Sequence, residues 1–259
     1  MSYITDKLAQ IAENVPKVYQ AGRNEGIKSQ DAYKEGVKSA YDEFWDAYQN
    51  NGKPILGAES YFGSEGWHDA NFKPKYSMGS FTRADNFFRT SKITNIKKCL
   101  EDAGVVFDFS KNKNFQYTFA YCKTTELPVI DMSQATNMNY TFYYDESLVS
   151  IDKLILPNNS TAYSQMFYRC TSLVNLPVEG TISANGLDLQ WSTKLSKESI
   201  TSIINALSGK TSGLTVTLSK TAVDEAFRPM MGLKPGSETA QWTELIAPKI
   251  DKGWTISLV

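Results

Sequence analysis

The side chains able to do chemistry in this sequence are few and scattered. The one histidine lies in Gly66-Trp67-His68-Asp69, where the neighbouring carboxylate could orient an imidazole base. No G-x-S-x-G nucleophile motif accompanies it, so His68 reads as a surface or cap residue. The three cysteines, Cys99, Cys122 and Cys170, have spacings that fit no metal motif. They read instead as buried thiols of a protein that folds in a reducing cytosol. Gly209-Lys210-Thr211 lacks the upstream glycine of a phosphate-cradling loop. Glycoside hydrolysis needs only two carboxylates, and Asp108, Asp131, Asp145 and Glu146 are available. Asp108 alternates with core-type residues and could face an open sheet. Asp145 and Glu146 fall in a turn, where solvated acids are the ordinary expectation. The pattern favours a non-enzymatic protein with no metal and no cofactor.

The totals point the same way. Lys and Arg number 27 against 28 Asp and Glu, with no clustered basic footprint of the kind nucleic acid demands. Hydrophobic residues make up 41% and charged residues 21%, the balance of a folded, soluble chain. No apolar run reaches the length of a membrane span, so no membrane insertion is expected. The first residues lack an apolar h-region, so no signal peptide is expected either. Aromatic residues are abundant, with 14 Tyr, 13 Phe and 5 Trp. They suit core packing and, for Tyr and Trp, contact surfaces for proteins and sugars.

The elements that would position such contacts fall into three parts. Residues 1–51 read as an N-terminal helical segment for oligomerisation or anchoring. Ile4, Leu8, Ile11, Val15 and Val18 are spaced 4, 3, 4, 3, a short heptad seam whose apolar mixture suits a trimer better than a dimer. Pro16 sits inside it and would cost a helix hydrogen bond unless a new helix begins there. A second helix carries Tyr33, Val37, Tyr41, Phe44, Trp45 and Tyr48 and stops at Asn50-Asn51-Gly52. Residues 52–83 are loop-like and aromatic and read as a cap.

Residues 84–259 repeat. Thr136–Ile151 and Thr161–Leu176 place Phe142 and Phe167, Leu148 and Leu173, and Ile151 and Leu176 at a common spacing of 25. An earlier copy runs from Phe119 to Pro128 and a fainter one from Phe88 to Ile96. Short strand-like runs lie between these units at 106–109, 128–130, 154–156, 187–189, 214–218 and 254–258. A unit this small cannot bury its apolar face alone and must stack on its neighbours. Later turns read as helices capped by Ser196, Ser219 and Ser237, with Pro248 interrupting the third. The expected fold class is α/β, a leucine-rich-repeat-like right-handed solenoid behind an N-terminal helical segment.

Residues 115–177 resemble the leucine-rich repeats of BspA-like bacterial surface proteins, which also occur in phages, prophage structural genes and gut bacteria. Asn137, Met138, Phe142, Tyr143, Ser147 and Leu148 carry the resemblance, as do Met166, Phe167, Tyr168, Cys170, Ser172 and Leu173. Thr141 and Asp145 stand where the pattern favours Met and Cys. The flanks at 13–19, 41–48, 72–76 and 189–227 are similar to segments joined to such repeats in phage genes. The resemblance implies adhesion or host recognition without a cofactor. The expected role is therefore a phage tail, baseplate or fibre component in the virion that recognises a bacterial surface glycan or protein. Other virion proteins would be its partners, and it would be a homo-oligomer. The alternative is a bacterial adhesin or an intracellular protein-interaction scaffold. Phe119, Phe142 and Phe167 are expected in the core, whereas Tyr121, Tyr143, Tyr144 and Tyr168 are offset from them and are the candidate ligand contacts.

Overall fold

The computed structural model describes residues 84–158, 163–209, 213–227 and 237–259. The expected N-terminal helices, the heptad residues Ile4, Leu8, Ile11, Val15 and Val18, the aromatic cap and His68 lie outside the described residues.

Four six-residue turns, at 85–90, 116–121, 139–144 and 164–169, set the architecture of the first half. Each holds its second and last residue in the left-handed region: Asn86 and Thr90, Tyr117 and Tyr121, Tyr140 and Tyr144, Gln165 and Arg169. None of these is glycine, so each residue carries a backbone cost of about 1–2 kcal/mol. Ladder bonds between successive turns hold them there. Asn86, Phe88 and Thr90 donate their N–H groups to the carbonyls of Gln116, Thr118 and Ala120. Tyr117, Phe119 and Tyr121 donate to Asn139, Thr141 and Tyr143, and Tyr140, Phe142 and Tyr144 donate to Ser164, Met166 and Tyr168. This use of alternate residues is the bonding of a parallel sheet carried through a turn.

Inside the turns, the rings of Phe88, Phe119, Phe142 and Phe167 stack with centroids 5.4, 5.4 and 5.0 Å apart and planes within 12°. All four are buried. The spacing is close to the separation of hydrogen-bonded strands, so one ring per turn fills the core without a gap. After the turns come β1 (Glu126–Asp131), β2 (Ser150–Ile155) and β3 (Val178–Glu179), a parallel sheet in that order. Its register pairs Leu127 with Ile151 and Ile130 with Leu154, all four buried. Asn95 opens α1 (Ile96–Ala103) by accepting from Lys98 N–H at 2.8 Å, and left-handed Gly104 closes it.

Beside β3 a helix takes the place of the next strand. Ser196 caps α2 (Lys197–Ala206), accepting from Ser199 N–H. Ser199 Oγ accepts from Leu176 N–H at 2.8 Å and donates to the Val174 carbonyl at 3.0 Å. Ser202 Oγ accepts from Val178 N–H at 2.7 Å and donates to its carbonyl at 3.0 Å. Two serine hydroxyls thus satisfy a sheet edge that would otherwise be open. Ile200, Ile203 and Ile204 bury the opposite demand of the helix, its apolar face.

The second half pairs β4 (Asp188–Leu189), β5 (Leu214–Leu218) and β6 (Trp254–Leu258) in parallel, with α3 (Lys220–Phe227) and α4 (Ser237–Ile250) between strands. Ser219 accepts from Ala222 N–H at the start of α3. The expected interruption at Pro248 does not occur, because α4 runs two residues past it. Only one intrahelical donor is missing so close to the end, and Asp251 N–H still reaches the Ala247 carbonyl.

Candidate functional site

The outer side of the turns is a continuous aromatic face. Three turns supply it: Tyr117 and Tyr121 from the second, Tyr140, Tyr143 and Tyr144 from the third, and Tyr168 from the fourth. Tyr117 stacks on Tyr140 at 4.7 Å and 9°. Tyr121 stacks on Tyr144 at 5.4 Å, and Tyr143 on Tyr168 at 5.3 Å. Tyr143 also meets Tyr144 and Tyr121 edge-on, which joins the columns sideways. Guanidinium groups extend the stacks: Arg89 lies over Tyr117, and Arg169 lies between Tyr144 and Trp191, 5.1 and 5.4 Å from their centroids. Tyr121 is exposed, and Tyr143, Tyr144 and Tyr168 are half-buried. The structure therefore brings all four sequence-predicted tyrosines into one patch.

Sequence reasoning passed over Tyr117, Tyr140, Trp191, Arg89 and Arg169. A signal for the first two was present, since both stand two residues before a core phenylalanine. The chemistry of the face follows from its stacking. Rings that spend their faces on one another leave edges and hydroxyls for a partner. Burial pushes the Tyr143 phenol above its ordinary range, and the neighbouring phenols Tyr121, Tyr144 and Tyr168 add to the rise. The face therefore offers phenol hydroxyls for hydrogen bonding beside the guanidinium charges of Arg89 and Arg169.

At the Tyr168 end the stack meets a cleft of about 350 Å³, lined by Tyr168, Gln165, Asn185, Asp188, Thr215 and Thr217 among others. Its walls are fixed by hydrogen bonds. Asp188 accepts from Gln190 N–H at 2.9 Å and from Gln190 Nε2 at 2.7 Å. Asn185 Oδ1 accepts from Thr215 N–H at 2.8 Å, and Thr217 N–H donates to the Leu187 carbonyl. Gly186, at φ +95°, turns the chain at the rim.

The acids named from sequence do not gather. Asp108 and Asp131 each accept from a backbone N–H two residues on, at Ser110 and Ser133. Glu146 lies 3.7 Å from Arg169. Asp145 overturns the expectation of a solvated turn acid: it is fully buried, and neither carboxylate oxygen has a hydrogen-bond partner. The reason is its place in the turn. Asp145 occupies the inward position held by Cys122 and Cys170 in adjoining turns, whose thiols donate to the carbonyls of Phe88 and Phe142. Burial pushes the Asp145 carboxyl well above its usual range, with Lys123 opposing the rise. Cys122 and Cys170 are likewise pushed up by burial and then by Asp145. Among the described residues no group of three or more His, Cys, Asp or Glu converges as a metal site. No family model, no curated protein and no solved structure matches this chain.

Proposed function

We propose that this chain is a non-enzymatic binding protein, a phage tail, baseplate or fibre component that recognises a bacterial surface through the tyrosine face. The observation that carries the reading is the in-register array of Tyr117, Tyr121, Tyr140, Tyr143, Tyr144 and Tyr168, extended by Trp191 and two arginines. Such an array repeats one contact along an extended line, which suits a polymer or a long partner surface. Four turns bonded in parallel also favour a leucine-rich-repeat-like solenoid as the scaffold. Tyr117, Tyr121, Tyr140 and Tyr144 themselves stand at left-handed positions, so part of the backbone strain lies where the contact surface is built. Aromatic residues of this kind give large contact area at low conformational cost.

Two measurements test the proposal. Labelled full-length protein is expected to bind intact cells of a susceptible bacterium, and Tyr121→Ala with Tyr144→Ala is expected to weaken that binding at least tenfold. Antibody against the chain is expected to find it in purified virions. Binding unaffected by the double substitution would remove the tyrosine face from the reading. Absence from virions would move the protein to the intracellular scaffold class.

A further inference from the structure

We infer that the cleft beside Tyr168 is a subsite for one neutral sugar residue of a surface glycan. This rests on the binding role proposed above and names the ligand class within it. Tyr117 is covered by Tyr140 and Arg89, and Tyr144 by Tyr121 and Arg169, so the apolar face of a pyranose has no open ring to lie on at either. The stacked Tyr143 column ends at Tyr168, whose ring meets Trp191 at 5.7 Å and 68° and borders the cleft.

The rest of the lining has the chemistry of polyol recognition. Asp188 supplies a carboxylate acceptor, Gln165 and Asn185 supply amides, and Thr215 and Thr217 supply hydroxyls. A ligand with several adjacent hydroxyls can both donate to the carboxylate and exchange bonds with the others. The volume, about 350 Å³, is at the small end of small-molecule sites, which span roughly 300–1,000 Å³. Such sites are usually lined mainly by apolar side chains, whereas most residues here carry a polar side-chain group, although apolar atoms make up the larger share of the exposed lining. An apolar ligand would leave its groups without partners, and a polyhydroxylated one would not. The walls are pre-set, because Asn185 and Asp188 are each held by a bond to backbone before any ligand arrives. The Asp188 carboxylate disfavours an anionic sugar, so the subsite is assigned to a neutral one.

The test is saturation-transfer NMR on the full chain with glucose, galactose, rhamnose and N-acetylglucosamine, each alone. At least one is expected to receive saturation. Asp188→Asn, which keeps an acceptor for Gln190 N–H, and Thr217→Val are each expected to weaken that sugar at least fivefold without changing the melting temperature. Absence of transfer to all four, or wild-type affinity in both variants, overturns the inference. The two readings fail separately. A chain that adheres to cells but neither binds these sugars nor is displaced by them retains its binding role, with a protein receptor. A chain that binds a sugar through Asp188 but adheres to no cell keeps the subsite and loses the surface-recognition role.

Discussion

Replacing Asp145 by cysteine is expected to stabilise the protein, and the gain is expected to grow with pH. At this position neighbouring turns place a thiol that donates to a core carbonyl, while Asp145 has no partner for either oxygen. An unsatisfied buried polar group costs about 1–3 kcal/mol, and a charged one more. The folded carboxyl is raised above its unfolded value of about 3.9. The folded state therefore holds the proton more tightly than the unfolded state. Its contribution is fully present below about pH 4 and is lost as pH rises toward the folded value, by up to about 1.4 kcal/mol per pH unit. Cysteine removes this slope, since burial also keeps thiols here protonated. Urea denaturation of both proteins at about pH 4.5 and pH 7.5 is the assay. Asp145→Cys should exceed wild type by about 2 kcal/mol or more at the higher pH and by less at the lower. Equal midpoints at both values would refute the reasoning, because the carboxyl would then have to be as well satisfied as a thiol.

Two further outcomes follow from single positions. Gly180 has φ +88°, and a Cβ there would lie 2.1 Å from the Leu156 carbonyl oxygen, so Gly180→Ala should cost more than about 2 kcal/mol by thermal unfolding. Tyr143 should ionise at higher pH than an exposed tyrosine when phenolate absorbance is followed, and Tyr121→Phe should reduce that displacement by removing the neighbouring phenol.

Much of the fold was legible because the repeat is written in large side chains. Phe119, Phe142 and Phe167 are spaced so that each ring falls on the next, and the runs at 128–130, 187–189, 214–218 and 254–258 coincide with strands. The run at 154–156 meets only the end of the 150–155 strand, and the run at 106–109 forms none. The short strand at 178–179 and the helix at 96–103 were not read. The first has two residues, too few for any period, and the second buries only Ile96 and Leu100. Tyr121, Tyr143, Tyr144 and Tyr168 could be named because they flank core phenylalanines. The cleft could not, since Gln165 and Tyr168 meet Asn185, Asp188, Thr215 and Thr217 only through parallel stacking of distant segments. Asp145 was misjudged because charge suggested solvent, whereas the turn fixes that position inward whatever residue fills it.

The left-handed pairs have a consequence for how such a chain can change in length. They recur at residues 86, 117, 140 and 165, so the turns are unevenly spaced in sequence although the rings they carry stack about evenly in space. The longest interval holds α1, and the next holds β1 and no helix. Material can therefore be gained or lost between turns without disturbing the rungs, and a whole turn could be copied or excised as a cassette. What has to be inherited intact is the six-residue turn; the connecting segments are free to diverge in size.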